Sequence, residues 1–239
     1  MKKTTTLTLL SAILSLFSIQ TAFAGPFGID KGMSLAEVTR VCKTTPKSLG
    51  DNVYEITPPK TNDMFKSYLV RIDSDHGVYW LKAIGKDIYT NGYGSDLKSR
   101  FNRLVESIEK AYGEESYRGD SLQKGSILSD PQYFMHTLIR GDRTLNAVWS
   151  KQFDAMNAMK EVLSDTVVLK KLASTTEHSD TTELRNFVLD KMSKYEKLPS
   201  DINIIMVYCK ATSPSLGYVA LEYSFSNDAL VEAKANSVF

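Results

Sequence analysis

The chain has 239 residues and nearly balanced charge, with 29 Lys and Arg against 28 Asp and Glu. Both signs are interspersed and no long run of either occurs, which argues against nucleic acid and against strong attraction to anionic lipid. No stretch after residue 24 is apolar enough over sufficient length to span a bilayer, so no stable membrane insertion of the mature chain is expected.

Residues 1–24 read as a secretory signal. Lys2 and Lys3 supply the charged start, Leu7 to Ile19 the apolar core, and Ala22-Phe23-Ala24 a small-x-small cleavage site. The expectation is export to the periplasm, cleavage after Ala24 and a mature chain that begins at Gly25. Removing Lys2 and Lys3 takes the basic count from 29 to 27, one fewer than the 28 acids. Residues 25–239 are expected to form one α+β domain, and 114–128 is where a subdomain boundary would fall. An oxidising compartment also permits a disulfide between Cys42 and Cys209. That bond would close a loop of roughly 168 residues, for which chain entropy gives about 5 kcal/mol. The alternative is two separately buried thiols.

In chain order, Ser34 and Glu37 have capping-box spacing and open a short helix that stops before Pro46. Leu35, Val38 and Val41 or Cys42 are expected to face the core. The run Gly32-Met33-Ser34-x-x-Glu37-Val38, with a small antiparallel sheet after it, resembles the opening of SmpA/OmlA-type envelope modules. The resemblance covers some fifteen residues and implies a small exported α+β fold. The Gly-x-Pro of those modules is replaced here by Cys42-Lys43-Thr44-Thr45-Pro46, and their lipoprotein cysteine is absent. The whole chain also resembles uncharacterised exported bacterial proteins, which implies a periplasmic address and adds no chemistry.

Val53 to Thr57 is a predicted strand closed by Pro58-Pro59. Tyr68 to Ile72 and Val78 to Ile84 form a hairpin about Asp73-Ser74-Asp75-His76-Gly77, and a short strand at Ile88 to Thr90 follows. From Ser95 a helix carries Leu97, Phe101, Leu104, Val105, Ile108, Ala111 and Tyr112 on one stripe, with Gly113 as its C-cap. Glu114 to Lys124 reads as a polar loop. Ser129-Asp130-Pro131 opens a short helix over Tyr133 to Arg140, and Thr144 to Ser150 alternates as a strand. Phe153 to Leu163 reads as a helix in which Met156, Met159, Val162 and Leu163 share a face. A strand is expected at Thr166 to Ala173 and a mobile polar loop at Ser174 to Asp180. A helix near Thr181 to Lys197 follows, capped by Asp180, with Leu184, Phe187, Val188, Met192 and Tyr195 inward. Asp201 to Thr212 and Gly217 to Asn227 close the chain as a hairpin whose Ile204 to Val207 segment is apolar enough for a central strand. The tail from Asp228 reads as a frayed helix. The fold class is α+β: a mostly antiparallel sheet of hairpins with amphipathic helices on one face.

Reactive groups are sparse. Gly119-Asp120-Ser121-Leu122 spells the string of the GDSL lipase and esterase family, whose serine is the nucleophile. The family's later Asp-x-x-His is missing here, and a serine without a base is a weak nucleophile. His76, His136 and His178 are scattered, without metal-ligand spacing. No catalytic residue, metal site or cofactor is expected, and Arg140, Arg143 and nearby acids read as ion pairs that fix a turn. The aromatic residues Tyr89, Tyr93, Tyr117, Tyr133 and Trp80 fall in or near loops and hairpin ends, where Tyr and Trp make good contact anchors. The leading expectation is a non-enzymatic secreted module that binds an envelope protein as an inhibitor, immunity-type factor or accessory. Its contacts would come from the Asn91 to Ser95 loop, the 114–126 loop and exposed sheet, with Tyr93, Tyr117 and Tyr89 as anchors. The alternatives are a serine hydrolase using Ser121 and a small-ligand carrier.

Overall fold

Among the described residues nine strands join in one sheet, and every pairing between them is antiparallel. The computed structural model describes residues 25–166, 170, 182–193 and 197–236. The signal expected at 1–24, the 174–180 loop, the Asp180 cap and the inward set Leu184, Phe187, Val188, Met192 and Tyr195 lie outside the described residues or side chains. The strand expected at 166–173 falls mostly outside them too, and the described Thr166 and Lys170 have helical backbone.

The strands are β1 Lys47–Gly50, β2 Val53–Ile56, β3 Phe65–Asp73, β4 Gly77–Gly85, β5 Ile88–Tyr89, β6 Tyr117–Leu122, β7 Arg143–Ser150, β8 Ile202–Ser213 and β9 Leu216–Phe225. Their spatial order is β1-β2-β3-β4-β9-β8-β7-β6, with β5 added beside β9. The C-terminal hairpin therefore fills the middle of the sheet, and β9 buries six of its ten residues.

Among the described residues the α-helices are α1 Leu35–Val41, α2 Ser95–Tyr112, α3 Phe134–Arg140, α4 Lys151–Ser164, α5 Thr182–Ser193 and α6 Asp228–Asn236. Strand alternation puts Ile205, Val207, Cys209, Val219, Leu221 and Tyr223 on one face of the sheet, all buried. Leu97, Phe101, Leu104, Val105 and Ile108 of α2 are buried as well, and α2 lies against β8 and β9. Each such side chain, fully buried, stabilises the fold by ~1.5–3 kcal/mol. Beside α2, α3 packs on β8 and β7.

The start of α2 shows how the chain fixes this layer. Gly94, with φ 69, takes a left-handed turn, and a Cβ there would sit 2.4 Å from the Phe134 ring. Asn91 Oδ1 and Thr90 Oγ1 accept from the backbone N–H groups of Ser95 and Asp96, capping the first turn. Gly113, with φ 81, ends the helix as its sequence position implied. In α1 the capping box is formed, with Ser34 N donating to Glu37 Oε2 at 2.8 Å and Glu37 N to Ser34 Oγ. Val38 is buried as expected, whereas Leu35 lies on the surface.

Two expectations are corrected here. The 114–124 segment is not a loop throughout, because Tyr117–Leu122 forms edge strand β6 on β7. The disulfide does not form: Cys42 and Cys209 are both free thiols. Lys43, next to Cys42, bonds the end of β2 through Thr57, and Cys209 lies on β8. Four strand spacings separate β2 from β8, roughly 19 Å at ~4.8 Å each. A disulfide needs Cα atoms within about 7 Å. Burial raises the pKa of both thiols, which keeps them protonated and unreactive.

Candidate functional site

Helix α4 touches β7 and α5, and its large apolar side chains Phe153, Met156, Met159 and Leu163 nonetheless stay exposed. It follows β7 directly, and among its described side chains Asp154 and Ala158 are buried; Val162, expected to share a face with Met156, Met159 and Leu163, lies outside the described side chains. At 100° per residue Asp154 and Ala158 share a face, while Phe153, Met156, Met159 and Leu163 cluster on the opposite one. All four are exposed, Met159 at 46% and Ala158 at 0%. The inward side is polar for a reason. Asn157 Nδ2 donates to Ser116 O at 3.0 Å, and Ser116 Oγ accepts from Ser150 N at 2.9 Å, so polar contacts pin α4 to the start of β6 and the end of β7. Asp154 is 3% exposed, its Oδ1 has no hydrogen-bond partner, and burial raises its pKa against the opposing effects of Ser116 and Lys197.

The tyrosines expected to anchor a partner divide between two ends of the molecule. Tyr117, on β6, lies against Phe153 with ring centroids 6.0 Å apart, so it extends the apolar surface of α4. Tyr89 and Tyr93 lie at the other end, beside β9 and before α2, and both are exposed. Met135 N donates to Gly92 O at 3.1 Å, which ties the Tyr93 loop to the segment carrying exposed Tyr133. The length of α2, 18 residues at ~1.5 Å each, or roughly 27 Å, separates these tyrosines from Tyr117. Trp80 is half-buried on the sheet face away from α2, with the Arg71 guanidinium 5.1 Å from its ring.

The reactive candidates are accounted for by other contacts. Ser121 is exposed on β6, and its hydroxyl lies 2.8 Å from that of Thr144. His76 holds the β3–β4 turn through Asp73, 2.9 Å away, and His136 packs its ring edge against Tyr133. His178 lies outside the described residues. Arg140 pairs with Asp142 at 3.0 Å, as a turn-fixing ion pair would, while Arg143 reaches Asp120 at 2.9 Å on the neighbouring strand. Among the described residues, no group of three or more His, Cys, Asp or Glu is placed to hold a metal ion. No described helix is long and apolar enough to cross a membrane.

The outward face of α4 could not be read from the sequence. Helical periodicity says which residues share a face, and the apolar one is ordinarily the inner one. The signal available was Asp154, Asn157 and Ala158 on the same side as Val162, a stripe that includes small and polar residues suited to close packing on a strand end. No family model, curated protein or solved structure matches the chain.

Proposed function

We propose that this chain is an exported, non-enzymatic module that binds another protein of the cell envelope, as an inhibitor, an immunity-type factor or an accessory. The carrying observation is the outward apolar face of α4, with Phe153, Met156, Met159 and Leu163 continued by Tyr117. A contiguous exposed patch of large apolar side chains on a soluble domain marks a contact surface. Methionine suits such a surface because its flexible thioether adapts to a partner's shape. Tyr89, Tyr93 and Tyr133 offer a second contact area at the other end. Export is supported by the charged, apolar and small-residue order of residues 1–24. It is also supported by Gly25, whose backbone nitrogen donates to the carboxylate of Asp30. Cleavage after Ala24 would convert that amide into an ammonium already facing a carboxylate.

Affinity capture from a periplasmic extract tests the reading. Met156→Lys with Met159→Lys is expected to abolish capture of the wild-type partner while leaving the melting temperature unchanged. Tyr117→Ala is expected to weaken capture. Unchanged capture by the double variant would remove α4 as the docking surface.

A further inference from the structure

Strands β7 and β8 pair from Ser150↔Ile204 to Asn146↔Tyr208 and then part. Beyond that point, Arg143, Thr144 and Leu145 pair only with β6, and β8 from Cys209 onward pairs only with β9. The gap is a cleft of about 320 Å³, lined by β7, β8 and the end of α3. Its volume falls within the range of small-ligand pockets. We propose that this cleft binds the free carboxylate end of an extended peptide chain.

Three properties of the walls point to that occupant. The first is charge. Arg143, its side chain 15% exposed, has its guanidinium 5.2 Å from the Phe134 ring, and Lys98 Nζ lies 3.9 Å from the same ring. Asp120 is the acid that faces them, and Lys210 adds a further cation to the lining. Arg143 and Lys210 are the cations of the lining, and with Lys98 close to Arg143 but outside the lining they outnumber the Asp120 carboxylate, leaving positive charge that an incoming anion would balance. Arg143 Nε is 2.9 Å from Asp120 Oδ1 but is not aligned to donate to it, so the fork keeps hydrogen-bonding capacity.

The second property is a buried acceptor. Asn146 lines the cleft, and its buried Oδ1 has no hydrogen-bond partner. A lone anion offers it nothing, whereas a chain end brings an amide N–H next to its carboxylate. The third is the open edge of β8, which has a strand neighbour on one side only past Tyr208 and can take an added extended segment. Leu138, Leu145 and Met206 provide apolar wall for a terminal side chain. The cleft opens beside residues 143–146 of β7, whereas α4 begins after Ser150 at the other end of that strand, and each surface is tested by variants the other does not contain.

The test is a fluorescence-polarisation titration of the folded mature protein with labelled, N-capped pentapeptides ending in Leu, Val or Phe. Each peptide is compared as free acid and as C-terminal amide. The free acids are expected to bind at least about tenfold more tightly than the amides, as loss of charge-assisted hydrogen bonds implies. Lys210→Ala, at an exposed site, is expected to weaken the free acids several-fold and leave the amides unchanged. Arg143→Met is expected to remove the acid preference. Equal binding of acid and amide, or no binding of either, would overturn the proposal. So would N-acetyl-leucine competing as well as the pentapeptide, since the occupant would then be a small carboxylate and not a chain end.

Discussion

Two adjacent residues of α4 test its orientation with opposite substitutions. Met159→Lys replaces an apolar side chain by a charge, and Ala158→Leu replaces a small side chain by a larger apolar one. Hydrophobicity alone predicts that the first destabilises and the second does not. The structure predicts the reverse. Met159 is 46% exposed, so the lysine ammonium reaches water and the change should stay within about 0.5 kcal/mol. Ala158 is 0% exposed, and its extra methylenes must displace packed neighbours at a cost of about 1–3 kcal/mol. For a domain of this size that corresponds to a melting-temperature drop of about 2–12 °C. Urea unfolding followed by circular dichroism gives both values, and equal m-values would show that the unfolded reference is shared. A loss above about 2 kcal/mol for Met159→Lys, with Ala158→Leu neutral, would mean that the helix is rotated and the proposed surface is core.

Other consequences follow from single contacts. Asp73 accepts from the backbone of Asp75 and from His76, with Lys234 nearby, and these interactions lower its pKa to about 2 from 3.8. Because the folded-state pKa is depressed, the stabilisation is present above about pH 4 and is lost as pH falls toward 2; Asp73→Asn should flatten the acid dependence in that window. Asp154 has the opposite sign. Burial raises its pKa, so its ionisation works against the fold as pH rises, and Asp154→Asn should stabilise the protein at pH 7 in the same denaturation assay. Ser34→Ala breaks the capping box of α1 and should cost about 1 kcal/mol by urea midpoint. Gly77→Ala, at φ 67, would place a Cβ 2.0 Å from Gly32 O, and should lower the melting temperature by several degrees through displacement of the segment that Gly32 and Val78 hold together.

The fold was legible wherever a buried face imposed a period. The β3–β4 and β8–β9 hairpins and the α2 stripe could be placed from the sequence because every second, or every third and fourth, side chain is apolar and buried. Strands β1 and β6 were not, because they are the edges of the sheet and β1 buries no residue at all. The turn that ends β1 does carry a local sequence signal. Gly50, Asp51 and Asn52 all have positive φ, and Gly-Asp-Asn is a sequence suited to a tight hairpin turn. Cysteine pairing depended on strand order, which the spacing of residues 42 and 209 does not encode.

The candidate surfaces were legible in part for the same reason. Tyr89, Tyr93 and Tyr117 could be singled out because glycine, turn and polar neighbours surround them. Their separation to opposite ends of α2 required the folded chain. The cleft between β7 and β8 arises from a mismatch in strand lengths, with β8 running five residues past its pairing with Asn146, from Cys209 to Ser213. That depends on tertiary pairing and has no local sequence signature.

Site-specific photo-crosslinking in intact cells reports whether α4 is the contact surface. A photoreactive residue at position 156 or 159 is expected to give an adduct with the same envelope protein. The same residue at Asn102, exposed on α2, should give none. Adducts at position 102 equal to those on α4, or no adduct at either α4 position in correctly folded protein, would contradict that assignment.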